Sequence, residues 1–187
     1  MGSQNLMVFP MTDNYTAQQG STPTISTRWD SSWPGLAKED ERVTLLSYLY
    51  NRFGINKELF DDYLIFSKKR TFWFLRKSPY ISEVSQLKIK RLGIKAFQEV
   101  GSFMKPTTRF IQYFGVHATK ALFEIDEKQL RQLLDGEYLL FNQELENGYV
   151  ILCFKGEVLG LGLLIKGMVR SQLALEDVRY LSIPDAN

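Results

Sequence analysis

The chain has 187 residues, 44% of them apolar and 13% aromatic, and a formal net charge of +2. That apolar share excludes a disordered chain and suffices for one domain or two small ones. No apolar run approaches the roughly 18 residues of a membrane-spanning helix, and no basic-then-apolar secretion leader is visible. Cys153 is the single cysteine, so an internal disulfide is excluded and a reducing, cytoplasmic location is expected.

Residues 1–36 are expected to form a flexible tail. They are rich in Ser, Thr, Gln, Gly and Pro and show no apolar period. Trp29 and Trp33 are unusual in such a segment and are read as anchors to a neighbouring surface. A helix is expected next, over KEDERVTLLSYLYNRFG. Acidic residues open it, Val43, Leu46, Leu49, Tyr50 and Phe53 recur at helical spacing, and Gly54 closes it. Asn56 can cap a short helix over KELFDDY.

Two aromatic-rich runs, YLIF and TFWFLR, flank the polar turn Ser67–Arg70 and predict a β-hairpin. ISEVSQLKIKRLG is expected to be a helix running into a turn at Gly93. IKAFQEV, TTRFIQYFG and ALFEI are expected to be strands. Asp126 caps a predicted helix whose stripe is Leu130, Leu133 and Leu134, stopped by Gly136. Tyr149–Phe154 and Glu157–Ile165 form a hairpin about a tight turn at Lys155-Gly156. The first of these strands is apolar on both faces, so it must be covered on both sides.

The net charge hides a lopsided distribution. Residues 1–67 carry −3, residues 68–109 carry +9, and residues 110–187 carry −4. A block this basic either draws polyanions by counterion release or is simply a solvated face. Within it, SKKRTFWFLRK interleaves Lys68, Lys69, Arg70, Arg76 and Lys77 with Phe72, Trp73 and Phe74. Cations hold phosphates and exposed aromatics stack on unpaired bases, although alternate aromatics must also fill a core. Lys88, Lys90, Arg91, Lys95, Lys105 and Arg109 extend the block. Lys166 and Arg170 flank a later turn and complete the set of candidate RNA contacts.

Gly160 and Gly162, in LGLGLL, do not form a nucleotide-binding loop. The third glycine, the Gly-Lys-Ser/Thr and the following helix are all missing. Glycine inside a strand marks instead a bend, a bulge or a close approach. That approach is either a barrel corner or a lane for a sugar-phosphate backbone.

LLDGEYLLF, GYVILCFKGEVLGLGLLIKGMVRSQL and their order resemble the PUA domain, a small RNA-binding β-pseudo-barrel. They are most similar to the PUA-like tails of the NOL/NOP/Sun RNA cytosine methyltransferases. Upstream, RLGIKAFQEVGSFMKPTTRFIQYF resembles the domain that precedes PUA in a two-domain ribosome-biogenesis factor. The resemblance covers about residues 62–181. It implies an α+β chain, with a mixed helix and antiparallel-sheet domain over residues 37–118 and a PUA-like barrel over 119–187. It also implies RNA as partner, structured ribosomal or transfer RNA, beside a modification enzyme or assembly factor. Those methyltransferase tails carry Lys-Asn and then a proline where this chain has Arg170-Ser171 and Ala174. The positive charge survives but the asparagine geometry does not.

Catalysis finds little support. His117 is the single histidine, and Cys153 lies mid-strand among apolar residues, as an inert buried thiol would. One His and one Cys cannot make a zinc cluster, so no metal and no cofactor are expected. Asp61-Asp62 and Glu39-Asp40-Glu41 are read as capping and solubility groups. The expected function is a non-catalytic RNA-binding protein. The alternatives are a protein-interaction module without RNA, or an accessory subunit whose catalytic partner is another chain.

Overall fold

The computed structural model describes residues 30–101 and 103–173. Its first helix, α1 (Glu39–Phe53), opens on Glu39, Asp40 and Glu41, which complement the helix dipole, and ends at Gly54 with φ 66°. The buried stripe is Leu45, Leu46, Leu49 and Phe53, whereas Val43 and Tyr50 of the expected stripe face outward. Asn56 caps as expected, its side chain accepting from the Lys57 N–H. The helix after it is only a 3-10 turn, Lys57–Phe60. Phe60 is already buried there, and the chain must extend at once into a strand.

The first sheet is antiparallel throughout, in the order β1 (Gly35–Leu36), β2 (Tyr63–Lys68), β3 (Thr71–Arg76), β4 (Ile94–Val100), β5 (Phe103–Pro106). The expected β2–β3 hairpin turns on Lys69 and Arg70, with φ 49° and 61°. Positive φ at both central residues gives the twist that antiparallel strands need. Ile65, Phe72, Phe74 and Phe97 point to the main core. Trp33, Phe66, Ile81 and Leu92 make a smaller core on the opposite face, flanked by Leu64, Trp73 and Leu75.

That outer core explains Trp33. Its ring lies 5.9 Å from Phe66 and its indole N–H donates to the Leu87 carbonyl at 2.8 Å. Residues 30–36 are therefore tied to the sheet, while residues 1–29 of the expected tail, Trp29 included, lie outside the described residues. The helix expected over residues 81–93 is reduced to one turn, α2 (Ile81–Val84). The rest is a loop laid across the sheet, because Ile89 and Leu92 must reach down into the outer core.

TTRFIQYFG is a helix, α3 (Thr108–Phe114), and not the expected strand. Thr107 caps it, its hydroxyl accepting from the Phe110 N–H at 3.2 Å. Phe110, Ile111 and Phe114 then share one face at helical spacing and are buried. An aromatic run is a weaker signal for a strand than the preceding Thr cap is for a helix.

The second sheet has the order β6 (Leu122–Ile125), β8 (Gly148–Phe154), β9 (Glu157–Ile165), β10 (Met168–Ser171), β7 (Tyr138–Leu140). Only β6 and β8 run parallel. Asp126 and Gln129 form a reciprocal capping box at the start of α4 (Glu127–Leu134). Leu130 and Leu133 of α4 are buried. The sheet curls so far that Phe123 on β6 meets Phe141, just past the opposite edge strand β7, at 5.1 Å between rings. This is the expected small pseudo-barrel. Among the described residues no helix is long and apolar enough to cross a membrane.

One apolar cluster runs from α1 through the first sheet and α3 into the second. Gly160 makes that continuity possible. Its backbone has φ 150°, and a Cβ there would lie 2.6 Å from Thr108 Cγ2 and 2.7 Å from Leu173 Cδ2. The space beside β9 thus belongs to α3 and to the segment just after β10, not to a ligand. A Cβ on Gly162 would lie 2.7 Å from Val169, inside the barrel. Gly160→Ala combines overpacking with an unfavourable backbone and is expected to cost about 2–3 kcal/mol. A urea melt would show this as a lower midpoint at unchanged slope.

Candidate nucleic-acid interface

The thirteen cationic positions fall into four groups. The largest lies on the outer face of the first sheet. Lys68, Lys69 and Arg70 crown the β2–β3 turn and are exposed. The loop after α2 brings Lys90 and Arg91 to the same place. Lys68, Lys90 and Arg91 line a shallow groove of about 130 Å³ with Trp73, Ser32 and Leu92. The Ile89 N–H donates to Ser32 Oγ at 3.0 Å, which pins the loop to the segment preceding β1.

Lys95 pairs with Trp73 across β3 and β4, so its side chain shares Trp73's face. Its Nζ donates to Gln98 Oε1 at 2.9 Å. Lys88 stands on the same loop, near Asp30. The Ser32 side chain and backbone N–H hold the Asp30 carboxyl below its usual range, and Lys88 adds to this. Arg70 reaches Glu99 at 3.8 Å, a weak exposed pair. With the described residues, Lys68, Lys69, Lys90 and Arg91 make no ion pair.

The other groups stand apart. Arg76 and Lys77 sit at the opposite end of β3, roughly 17 Å from the turn at about 3.3 Å per residue. There Lys77 Nζ donates to the Asp61 carbonyl at 2.6 Å, so Asp61 and Asp62 are local company. Lys105 and Arg109 lie where the two sheets meet. Lys105 Nζ donates to Gln172 Oε1 at 3.0 Å and stands 6.0 Å over the Tyr149 ring. Arg109 is exposed on the first turn of α3. Lys166 and Arg170 belong to the β9–β10 hairpin, Lys166 in its turn with φ 50° and Arg170 exposed on β10.

Two features escaped the sequence. Arg52 of α1 clamps the second sheet: Nε donates to the Tyr149 carbonyl at 2.6 Å and Nη1 to the Glu146 carbonyl at 2.9 Å. Burial lowers the Arg52 pKa, and burial raises those of Tyr48 and Tyr149 nearby. Tyr50 is approached by Lys57 at 5.8 Å and Lys120 at 5.7 Å. Neither set is contiguous in sequence, and the helical spacing that groups Tyr50 with Leu46, Leu49 and Phe53 pointed away from its exposed position.

The candidates for chemistry remain isolated. His117 ends a 3-10 turn, Gly115–His117, and is exposed. Among the described residues no three His, Cys, Asp or Glu side chains are placed to hold a metal ion. Burial, helped by Glu124, pushes the Cys153 thiol up to about 11 from 9.0. Its thiolate fraction at neutral pH is therefore about 100-fold below that of a free thiol. Native protein should accordingly label with a thiol reagent at least that much more slowly than urea-unfolded protein, as read by absorbance.

Residues 120–176 match the family described as "Methyltransferase RsmF PUA domain". A relative, the ribosomal RNA small subunit methyltransferase F of Psychromonas ingrahamii, is 26% identical over 121 residues, 62% of this chain and 25% of the relative. The chain thus spans about a quarter of the length of the curated relative it matches. The family match coincides with the curled sheet from β6 to β10 and with its helix α4. Residues 120–176 form a PUA-like domain, similar to the one described for methyltransferase RsmF.

Proposed function

We propose that this chain is a non-catalytic RNA-binding protein that assists the modification of ribosomal or transfer RNA, or ribosome assembly. The observation that carries the reading is the cationic groove around Trp73, beside a PUA-like domain similar to that of an rRNA methyltransferase. Lys68, Lys69, Arg70, Lys90, Arg91 and Lys95 neutralise phosphates, and Lys88 extends the same wall. Trp73 offers part of its ring to a base. Lys166 and Arg170 hold a second stretch of backbone on the PUA-like domain, and Lys105 and Arg109 lie between the two. Arg76 and Lys77 contribute least, since they stand at the far end of β3 beside two aspartates.

Cys153 is buried and its thiol is pushed up, which makes it a poor nucleophile and supports a binding role. Chemistry, where it occurs, belongs to a partner modification enzyme. A cytoplasmic setting is part of the same proposal, supported by a single cysteine kept as a thiol. The rival reading, a protein-docking module, draws on Tyr138 and Leu140, which are 55% and 62% exposed on the edge strand β7. It gains nothing from Trp33, which is spent on Phe66 and Leu87.

The test is a salt titration of binding to purified tRNA and to a ribosomal RNA fragment. Neutralising about five to six phosphates gives a log–log slope of roughly −4 to −5. Absence of binding at low salt, or affinity indifferent to salt, would remove the proposal.

A further inference from the structure

A groove of about 530 Å³ opens where α1, β5, the start of β8 and the end of β9 converge. Its volume falls within the range of small-ligand sites. Tyr48, Phe103, Met104, Tyr149, Leu163 and Ile165 form most of its walls. Phe103 is 73% exposed at the start of an edge strand, and Ile165 opposite is 50% exposed. Neighbouring exposed apolar side chains on one groove mark a surface that something covers.

The rim decides what covers it. Arg52 lies in the wall, and its Nη2 is enclosed without a hydrogen-bond partner. Lys105 follows Met104 and stands over the Tyr149 ring. Lys166 follows Ile165, and its backbone N–H donates to Asn147 Oδ1, another wall residue, at 2.8 Å. Among the described residues Glu146 is the one carboxylate that acts on Arg52, and no ion pair joins them. An apolar peptide laid here would leave three cations uncompensated. A planar ring carrying a phosphate satisfies both the walls and the rim.

We infer that this groove takes an unpaired base of a bound RNA, with the adjoining phosphate at Lys105 or Lys166. The inference rests on the RNA-binding reading above and adds the feature recognised, a single-stranded nucleotide rather than a continuous duplex. The base lies against Phe103 and the Tyr149 side of the groove, at the seam between the PUA-like domain and the first sheet. The chain thereby reads a loop or bulge while the wall around Trp73 holds the flanking backbone.

The full chain is titrated with an RNA hairpin bearing a single-stranded loop and with the blunt duplex of the same stem. Phe103→Ala, at an exposed position, leaves the fold intact. It is expected to weaken hairpin binding about tenfold, within what one stacked base contributes, and to leave duplex binding unchanged. Lys68→Glu with Lys90→Glu is expected to weaken both. If Phe103→Ala affects neither RNA, or both equally, while the charge variant weakens both, the groove does not read a base and the RNA-binding reading stands. If the unaltered chain binds neither RNA, that reading fails and takes this inference with it. If Phe103→Ala spares RNA binding and instead abolishes self-association in sedimentation, the groove is an interface with a second copy and the inference is overturned.

Discussion

Phe110→Ala is expected to cost about 3–5 kcal/mol, a large part of a domain's usual stability. Phe110 is fully buried, and its ring lies 4.8 Å from Phe114, 5.1 Å from Phe74, 5.4 Å from Phe97 and 5.9 Å from Phe60. Helix α3 carries this ring between the two sheets. The void left is bounded by rigid aromatic faces from four separate elements, so collapse around it is limited. Urea denaturation gives the magnitude.

The same melt tests whether the sheets unfold together. Trp33 and Trp73 report on the first sheet, and the reactivity of Cys153 on β8 reports on the second. A continuous core predicts coincident transitions for the two probes, in the unaltered chain and in the variant. Separate midpoints would show two independent units joined by a weak seam.

Reversing four charges, Lys68→Glu, Lys69→Glu, Arg70→Glu and Lys90→Glu, is expected to lower RNA affinity at least about 100-fold at near-physiological salt. Four favourable phosphate interactions become repulsive, and the slope against log salt shrinks by roughly 0.7–0.9 for each phosphate no longer neutralised. Folding should hardly change, because all four side chains are exposed and the one ion pair involved, Arg70 with Glu99, is long and solvated. Filter binding supplies the affinity, and a thermal melt confirms the fold. Equal affinity in the variant would make this wall an ordinary solvated surface.

Much of the fold was legible where local chemistry and packing agree. Asp126 and Gln129 announce α4, the acids and Gly54 bound α1, and Lys155-Gly156 sets the β8–β9 turn with φ 53° and 80°. The misreadings arise where tertiary packing decides. The aromatics of α3 suit a strand or a helix equally, and the Thr107 cap settles it. The segment over residues 85–93 has helical residues, but Ile89 and Leu92 are drawn individually into the outer core. LGLGLL was legible as a non-nucleotide motif. That its space is filled by Thr108, Leu173 and Val169 depends on elements about 10 to 50 residues away.

The candidate site was legible as composition and not as geometry. A net +9 over residues 68–109 marks the region, yet the register of β3 and the path of the 85–93 loop select Lys68, Lys90, Arg91 and Lys95 to surround Trp73. The same block contains Lys77, turned to the Asp61 carbonyl, and Lys105, turned to Gln172. The Arg52 groove joins residues some 50 and 100 positions apart, so no short window of sequence displays it.

The most direct measurement is ultraviolet crosslinking of the full chain to bound RNA, followed by mass spectrometry of the modified peptides. Binding along the wall around Trp73 predicts adducts on the segments 68–73 and 88–95, with Trp73 among the modified side chains. Adducts confined to the acidic surface of residues 124–146, with none around Trp73, would contradict it.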